Sequence, residues 1–133
     1  MTRAAQSLHE FVVLVVDDDA DNLEAATAIV ESFGCSTLRA ASCEEALAVL
    51  DSGAHVDLVF SDVVMPKTSG VALARIVHER NPAMPIVLAT GHADAIDAVT
   101  DSGAIPLIKP YSASRLEAVL AEQLRVNRAS PAG

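Results

Sequence analysis

The stretch DLVFSDVVMPKTSG, residues 57–70, decides the fold. It runs through aliphatic and aromatic residues, stops on the carboxylate of Asp62, and turns through Met65, Pro66 and Gly70. A continuous apolar run bounded by turn residues is the pattern of a strand buried on both faces, and such strands belong to parallel sheets covered by helices. An acid at the tip of that strand has no place in the core. It marks an edge where the chain emerges from the sheet.

Residues 11–16 (FVVLVV) and 85–90 (PIVLAT) repeat the pattern of 56–61 (VDLVFS), and 36–40 (STLRA) and 105–108 (IPLI) are weaker versions of it. Helix-like segments fill the gaps: 20–33, 43–51, 69–80, 94–102 and 112–125. Gly34, Gly53 and Gly103 each sit where a helix C-terminus favours a left-handed residue, and Ser42 with Glu45 has capping-box spacing. Five strands alternating with five helices predict an α/β fold, a doubly wound parallel sheet of (βα)5 type. A single domain over 10–126 is expected, with frayed tails at 1–9 and 127–133.

The 133 residues suit one core, long enough to bury roughly 68% of the surface the unfolded chain exposes. That core is aliphatic, because 51% of residues are hydrophobic and only 3% aromatic. A net charge of -9 argues against direct nucleic-acid binding, which needs clustered Lys and Arg to release counterions. No apolar stretch is long enough for a membrane span and no signal peptide opens the chain, so a cytoplasmic protein is expected. Cys35 and Cys43, with seven residues between them, lack metal or redox spacing and read as reduced thiols.

The chemistry collects at strand ends. Asp17, Asp18 and Asp19 follow the first strand, Asp62 the third, Thr90 the fourth and Lys109 the fifth. Ligands of open α/β sheets bind outside this edge, so these residues are expected to converge. Two carboxylates about 4 Å apart repel by roughly 4 kcal/mol at an effective dielectric of about 20, so the cluster needs a countercharge. Mg2+ with oxygen ligands supplies one, Asp62 then being the nucleophile for a phosphoryl group, Lys109 its neutralising cation and Thr90 a hydrogen-bond donor. Each residue also has a plainer reading taken singly: helix capping for Asp17 to Asp19, a turn for Asp62, a strand end for Thr90, a solvated cation for Lys109. Four complementary strand ends together favour the site. His9, His55 and His78 share no ligand spacing and read as surface or packing residues.

With those residues in place, the sequence closely resembles the receiver domains of two-component response regulators. The resemblance covers residues 11–125 and rests on Asp17 and Asp18, Asp62 in SDVVMPKTSG, Thr90 in LATG and Lys109 in IKPY. It implies a flavodoxin-like strand order of 2-1-3-4-5 and a cytoplasmic signalling switch that is not an enzyme acting on external substrates. It also implies phosphorylation of Asp62 by a histidine kinase or histidine phosphotransfer protein. Mg2+ would be held by Asp18, Asp62, the Val64 carbonyl and, largely through water, Asp17. The kinase would dock around the first helix. With no output domain after residue 125, phosphorylation would act through association with another chain, through relay of the phosphate or through a region outside this sequence; a homodimer or downstream protein would use the face of helix four, strand five and helix five.

One position departs from the family. Receivers place Tyr or Phe three residues before the strand-five Lys; here that residue is Pro106. Pro belongs on edge strands, as the implied order requires, but the aromatic switch is missing. Together with Thr90 and Gly91 this resembles a subgroup of single-domain regulators or hybrid-kinase receivers. Tyr111 is either a substitute reporter or a packing residue. Gly91 leaves the pocket open, so that His92 either influences dephosphorylation or is an exposed helix-entry residue. Val64 offers no polar group to position water, which predicts a long-lived phosphoryl group. Two other readings compete: a haloacid-dehalogenase-like phosphohydrolase using Asp17 of the Asp17-Asp18-Asp19 run, and an unphosphorylated receiver-like docking module.

Overall fold

Strands built from Val, Leu and Ile leave no polar face, so the sheet can be stable only if helices cover both sides. The computed structural model, which describes residues 8–65 and 68–129 with side chains through Arg125, shows that arrangement. Pro66 and Lys67 lie outside the described residues, and the turn expected at Pro66 with them. The strands are β1 (Val12–Val16), β2 (Ser36–Ala40), β3 (Leu58–Asp62), β4 (Ile86–Thr90) and β5 (Ile105–Ile108). The helices are α1 (Ala20–Ser32), α2 (Cys43–Asp51), α3 (Gly70–Arg80), α4 (Ile96–Asp101) and α5 (Ala113–Ala129). All neighbouring strands pair in parallel, in the order β2-β1-β3-β4-β5. The fold is the flavodoxin-like one expected.

Alternation along each strand divides the core into two layers. Val13, Val15, Phe60, Val87 and Leu107 pack under α1 and α5. Leu14, Val16, Val59, Ile86 and Leu88 pack under α2 and α3. Each fully buried aliphatic side chain contributes about 1.5–3 kcal/mol of transfer free energy, so the two layers supply most of the driving force.

Details differ from the sequence reading. β3 starts at Leu58 because Asp57 stays outside the ladder as a cap, its carboxylate accepting the Val12 N–H at 2.8 Å. It ends on Asp62 itself, in register with Ala89 of β4. Leu8, assigned to the tail by the sequence reading, is fully buried against the α5 side of the core. At the other end α5 runs on to Ala129, beyond the expected boundary. The fourth helix is broken into a 3-10 turn (Ala93–Ala95) and the short α4, which buries only Val99 and has no side-chain cap. Glu45 completes its capping box one residue early: Ser42 Oγ accepts the Glu45 N–H, while Glu45 reaches back to the Ala41 N–H at 2.8 Å.

The chain after Asp62 folds back tightly. The Gly70 N–H donates to the Val63 carbonyl at 2.8 Å, and a Cβ on Gly70 would stand 2.3 Å from the Asp62 carbonyl oxygen. Backbone is the obstacle, so a side chain here forces the loop bearing Asp62 to move. Gly70→Ala is expected to lose about 3 kcal/mol in chemical denaturation, at the upper end of overpacking costs. Gly53→Ala, with open space but φ of +87°, should lose only about 1–2 kcal/mol.

Candidate functional site

The two-residue period that sorts the core also assembles the site. Val15 and Asp17 lie on one face of β1, Phe60 and Asp62 on the same face of β3, and Ala89 and Lys109 follow from β4 and β5. At the C-terminal edge they open into a cavity of about 530 Å³ facing α1. The far wall is a helical stripe, Asn22, Ala25, Ala26 and Ile29, at i, i+3, i+4 and i+7. Its small side chains leave the space open. Pro110 and Tyr111 close the remaining side.

Lys109 Nζ donates to Asp62 Oδ1 at 2.9 Å, and the Lys109 N–H donates to the Thr90 carbonyl at 2.8 Å, fixing the turn that carries it. Asp62 is largely enclosed, its side chain 14% exposed against 39% for Lys109. Asp17 is buried, and its Oδ1 accepts the Asp19 N–H at 3.0 Å. Burial pushes the Asp17 carboxyl above its usual range; the Asp19 N–H opposes this, Asp62 and Asp18 add to it, and Lys109 relieves part of it.

The expected cluster is only partly assembled. Asp18 points the other way, as the next residue of an alternating chain should, and lines a neighbouring cavity with Ser42, Cys43, Met65 and Thr68. Asp19 is the N-cap of α1, accepting the Asn22 N–H at 2.9 Å, so the capping reading holds for that acid. Among the described residues no three His, Cys, Asp or Glu side chains stand close enough to share a metal ion. Hard oxygen donors for a cation are thus Asp17 and Asp62 in one cavity, with Asp18 beside them. Val64, two residues past Asp62, is 61% exposed.

Thr90 is buried, but its hydroxyl faces its own turn rather than the cavity. Its Oγ1 accepts the His92 N–H at 3.0 Å and lies 3.4 Å from the His92 carbonyl. Gly91 and His92 are exposed, a Cβ on Gly91 would meet only the Lys109 Cβ at 4.0 Å, and the His92 side chain does not line the cavity. Pro106 pairs with Leu88 on the edge strand β5. Tyr111 is half-buried, its ring edge-on to Phe60 with centroids 6.1 Å apart. The α1 stripe is absent from the sequence reading, although its i, i+3, i+4, i+7 spacing is visible there. Elsewhere, Cys35 and Cys43 are free and buried on opposite faces of the sheet, burial pushing the Cys35 thiol up to about 11. His55 pairs with Asp57 at 3.0 Å, and a Cβ on Gly103 would run into the His78 ring.

Over residues 13–121 the chain matches the family described as response regulator receiver domain. It is 37% identical over 107 residues to the C4-dicarboxylate transport transcriptional regulatory protein DctD of Rhizobium meliloti (strain 1021), covering 78% of this chain and 23% of that one. It is 34% identical over 119 residues to the sensor kinase CckA of Brucella abortus (strain 2308), covering 85% of this chain and 12% of that one. The chain therefore spans less than a quarter of the length of these two relatives. The crystal structure of a response regulator receiver domain protein from Clostridium thermocellum superimposes with a TM-score of 0.83 at 28% identity, covering 90% of this chain and 98% of that one.

The raised Asp17 pKa has a definite sign. A carboxyl protonated more readily in the folded state gives its favourable contribution below its ordinary value of 3.8 and loses it as pH rises through the folded pKa. At neutral pH the ionised Asp17 therefore weakens the fold. In chelator, Asp17→Asn is expected to raise the Tm at pH 7 by a few degrees, a gain that shrinks as the pH is lowered toward 4. Thermal melts of both proteins across that range check it.

Proposed function

The chain belongs to the response regulator receiver domain family, and from that premise we propose that it accepts a phosphoryl group from a phosphohistidine onto Asp62. One observation carries the assignment: Asp62 shares a cavity with a second acid, Asp17, and its Oδ1 is bound by Lys109 at 2.9 Å. With Oδ1 held, Oδ2 is the oxygen that attacks phosphorus. The new O–P bond forms as the N–P bond breaks, and the imidazole nitrogen leaves with the bonding pair and takes a proton from solvent. Lys109 then neutralises phosphoryl oxygens as a point charge, and the Thr90 hydroxyl, once released from His92, donates to another.

The residues present fit Mg2+, which binds one or two carboxylates and keeps several waters. Two carboxylates share one cavity, and the carboxyl of Asp17 is held above its usual range by burial, with Asp62 and Asp18 adding to the shift and Lys109 relieving only part of it. Asp62 and the Val64 carbonyl would hold it, with Asp18 once turned from the neighbouring cavity and Asp17 largely through water, and it would offset charge on the phosphoryl oxygens. The phosphodonor is a histidine kinase or histidine phosphotransfer protein docking beside α1, where the cavity opens. Readout through α4, β5 and α5 is supported by Ile108, an apolar side chain 44% exposed on the edge strand. No helix among the described residues is long and apolar enough to cross a membrane.

A haloacid-dehalogenase-like reading requires Asp17 as nucleophile. Asp17 Oδ1 is instead bound to the Asp19 N–H, and among the described residues no cation pairs with Asp17 as Lys109 pairs with Asp62. Acetyl phosphate with Mg2+ is expected to label Asp62, located by mass mapping, and Asp62→Asn is expected to stay unlabelled. Lys109→Ala should label at least tenfold more slowly. A label on Asp17 would establish the hydrolase instead, and Mg2+-dependent loss of label within seconds would show that Val64 does not limit hydrolysis.

A further inference from the structure

The missing aromatic at position 106 leaves open what registers the state of Asp62. Three observations point to the other side of the site. Pro106 is committed to the β5 ladder opposite Leu88. Thr90 holds its hydroxyl on the backbone of His92 and does not line the cavity. Tyr111, in contrast, lines the same cavity as Asp62 and Lys109.

The Tyr111 ring rests edge-on against Phe60, two residues before Asp62 on the same face of β3. Its hydroxyl makes no hydrogen bond to the described residues, although half-buried tyrosines ordinarily find a partner for the O–H. Phosphorylation would place a group of charge near −2 in that cavity, with three strong acceptor oxygens. Lys109 can satisfy some of them. The phenol is a further donor on the same wall, and burial pushes its pKa upward, so it keeps its proton at neutral pH.

We infer that Tyr111 is a positioning residue for the phosphoryl group: its hydroxyl donates to a phosphoryl oxygen on Asp62, and its ring transmits the acceptor's state to the start of α5. The inference rests on Asp62 being the acceptor. It moves the aromatic sensor from β5 to the loop after it, on the face shared with α1. Lys109-Pro110-Tyr111 then forms one short segment in which residue 109 supplies charge and residue 111 supplies direction.

The test uses a convenient property of the chain: Tyr111 is its only tyrosine and there is no tryptophan, so intrinsic fluorescence reports this residue alone. Beryllium fluoride with Mg2+ serves as the phosphoryl mimic. Tyrosine emission is expected to change saturably on its addition, and Asp62→Asn is expected to show no change. Tyr111→Phe keeps the ring against Phe60, so its melting temperature should match the parent, yet calorimetry should show about tenfold weaker beryllium fluoride binding, the worth of one hydrogen bond to a charged group. Binding at Asp62 with unchanged emission, or equal affinity in Tyr111→Phe, overturns the inference while leaving the acceptor assignment intact. Failure of acetyl phosphate to label Asp62 overturns both.

Discussion

Two carboxylates at the ends of adjacent parallel strands cannot sit in one cavity without a balancing charge, and the rest of this structure is arranged around that constraint. Asp17 and Asp62 are brought to the same face by register, since Val16 of β1 lies beside Ser61 of β3. Lys109 arrives from two strands away and binds Asp62 at 2.9 Å. Asp17 accepts a backbone N–H, and burial still pushes its carboxyl above the usual range although Lys109 relieves part of the shift. The fold's driving force lies in the aliphatic layers beneath. Stability is therefore given up at the edge where function is placed, which is possible because the core does not depend on it.

The order of the strands came from the resemblance to receiver domains and is the order observed, whereas the parallel sheet itself was legible in the sequence because fully buried strands of Val, Leu and Ile have few other uses. The same holds for Lys109 and Asp62, whose pairing follows once both are assigned to strand ends. What could not be read was direction. Asp17, Asp18 and Asp19 look equivalent as a run of acids, yet one enters the cavity, one lines its neighbour and one caps α1. Alternation at a strand end explains the first two, and helix geometry the third. Leu8 escaped the sequence reading for a similar reason: it has no periodic context, and its burial is a tertiary event.

The broken fourth helix follows from its composition. Ala93, Asp94, Ala95, Asp97 and Ala98 offer almost nothing to bury, and Val99 alone anchors the segment to the core. A helix of six residues with one buried side chain opens at small free-energy cost. The Thr90 hydroxyl is bound to the backbone at the entrance to this segment, on His92. On the proposed phosphorylation of Asp62, withdrawing that hydroxyl toward the phosphoryl group would remove a restraint from this weakly packed segment. The change needs no aromatic on β5 to be felt there.

As the proposed acceptor, Asp62 would have two outlets of different character. Toward α4 the coupling is a loss of restraint, transmitted through one hydroxyl to a weakly packed segment. Toward α5 it is a gain of contact, because Tyr111 follows Lys109 by two residues and leads into a helix whose Leu116, Leu120 and Leu124 are all fully buried. A well-packed helix cannot loosen cheaply, so it responds by small rigid displacement. Pro106 separates the two routes: locked in the β5 ladder opposite Leu88, with no ring to swing, it leaves the edge strand as a fixed partition between them. A receiver built this way can order one face while loosening the other.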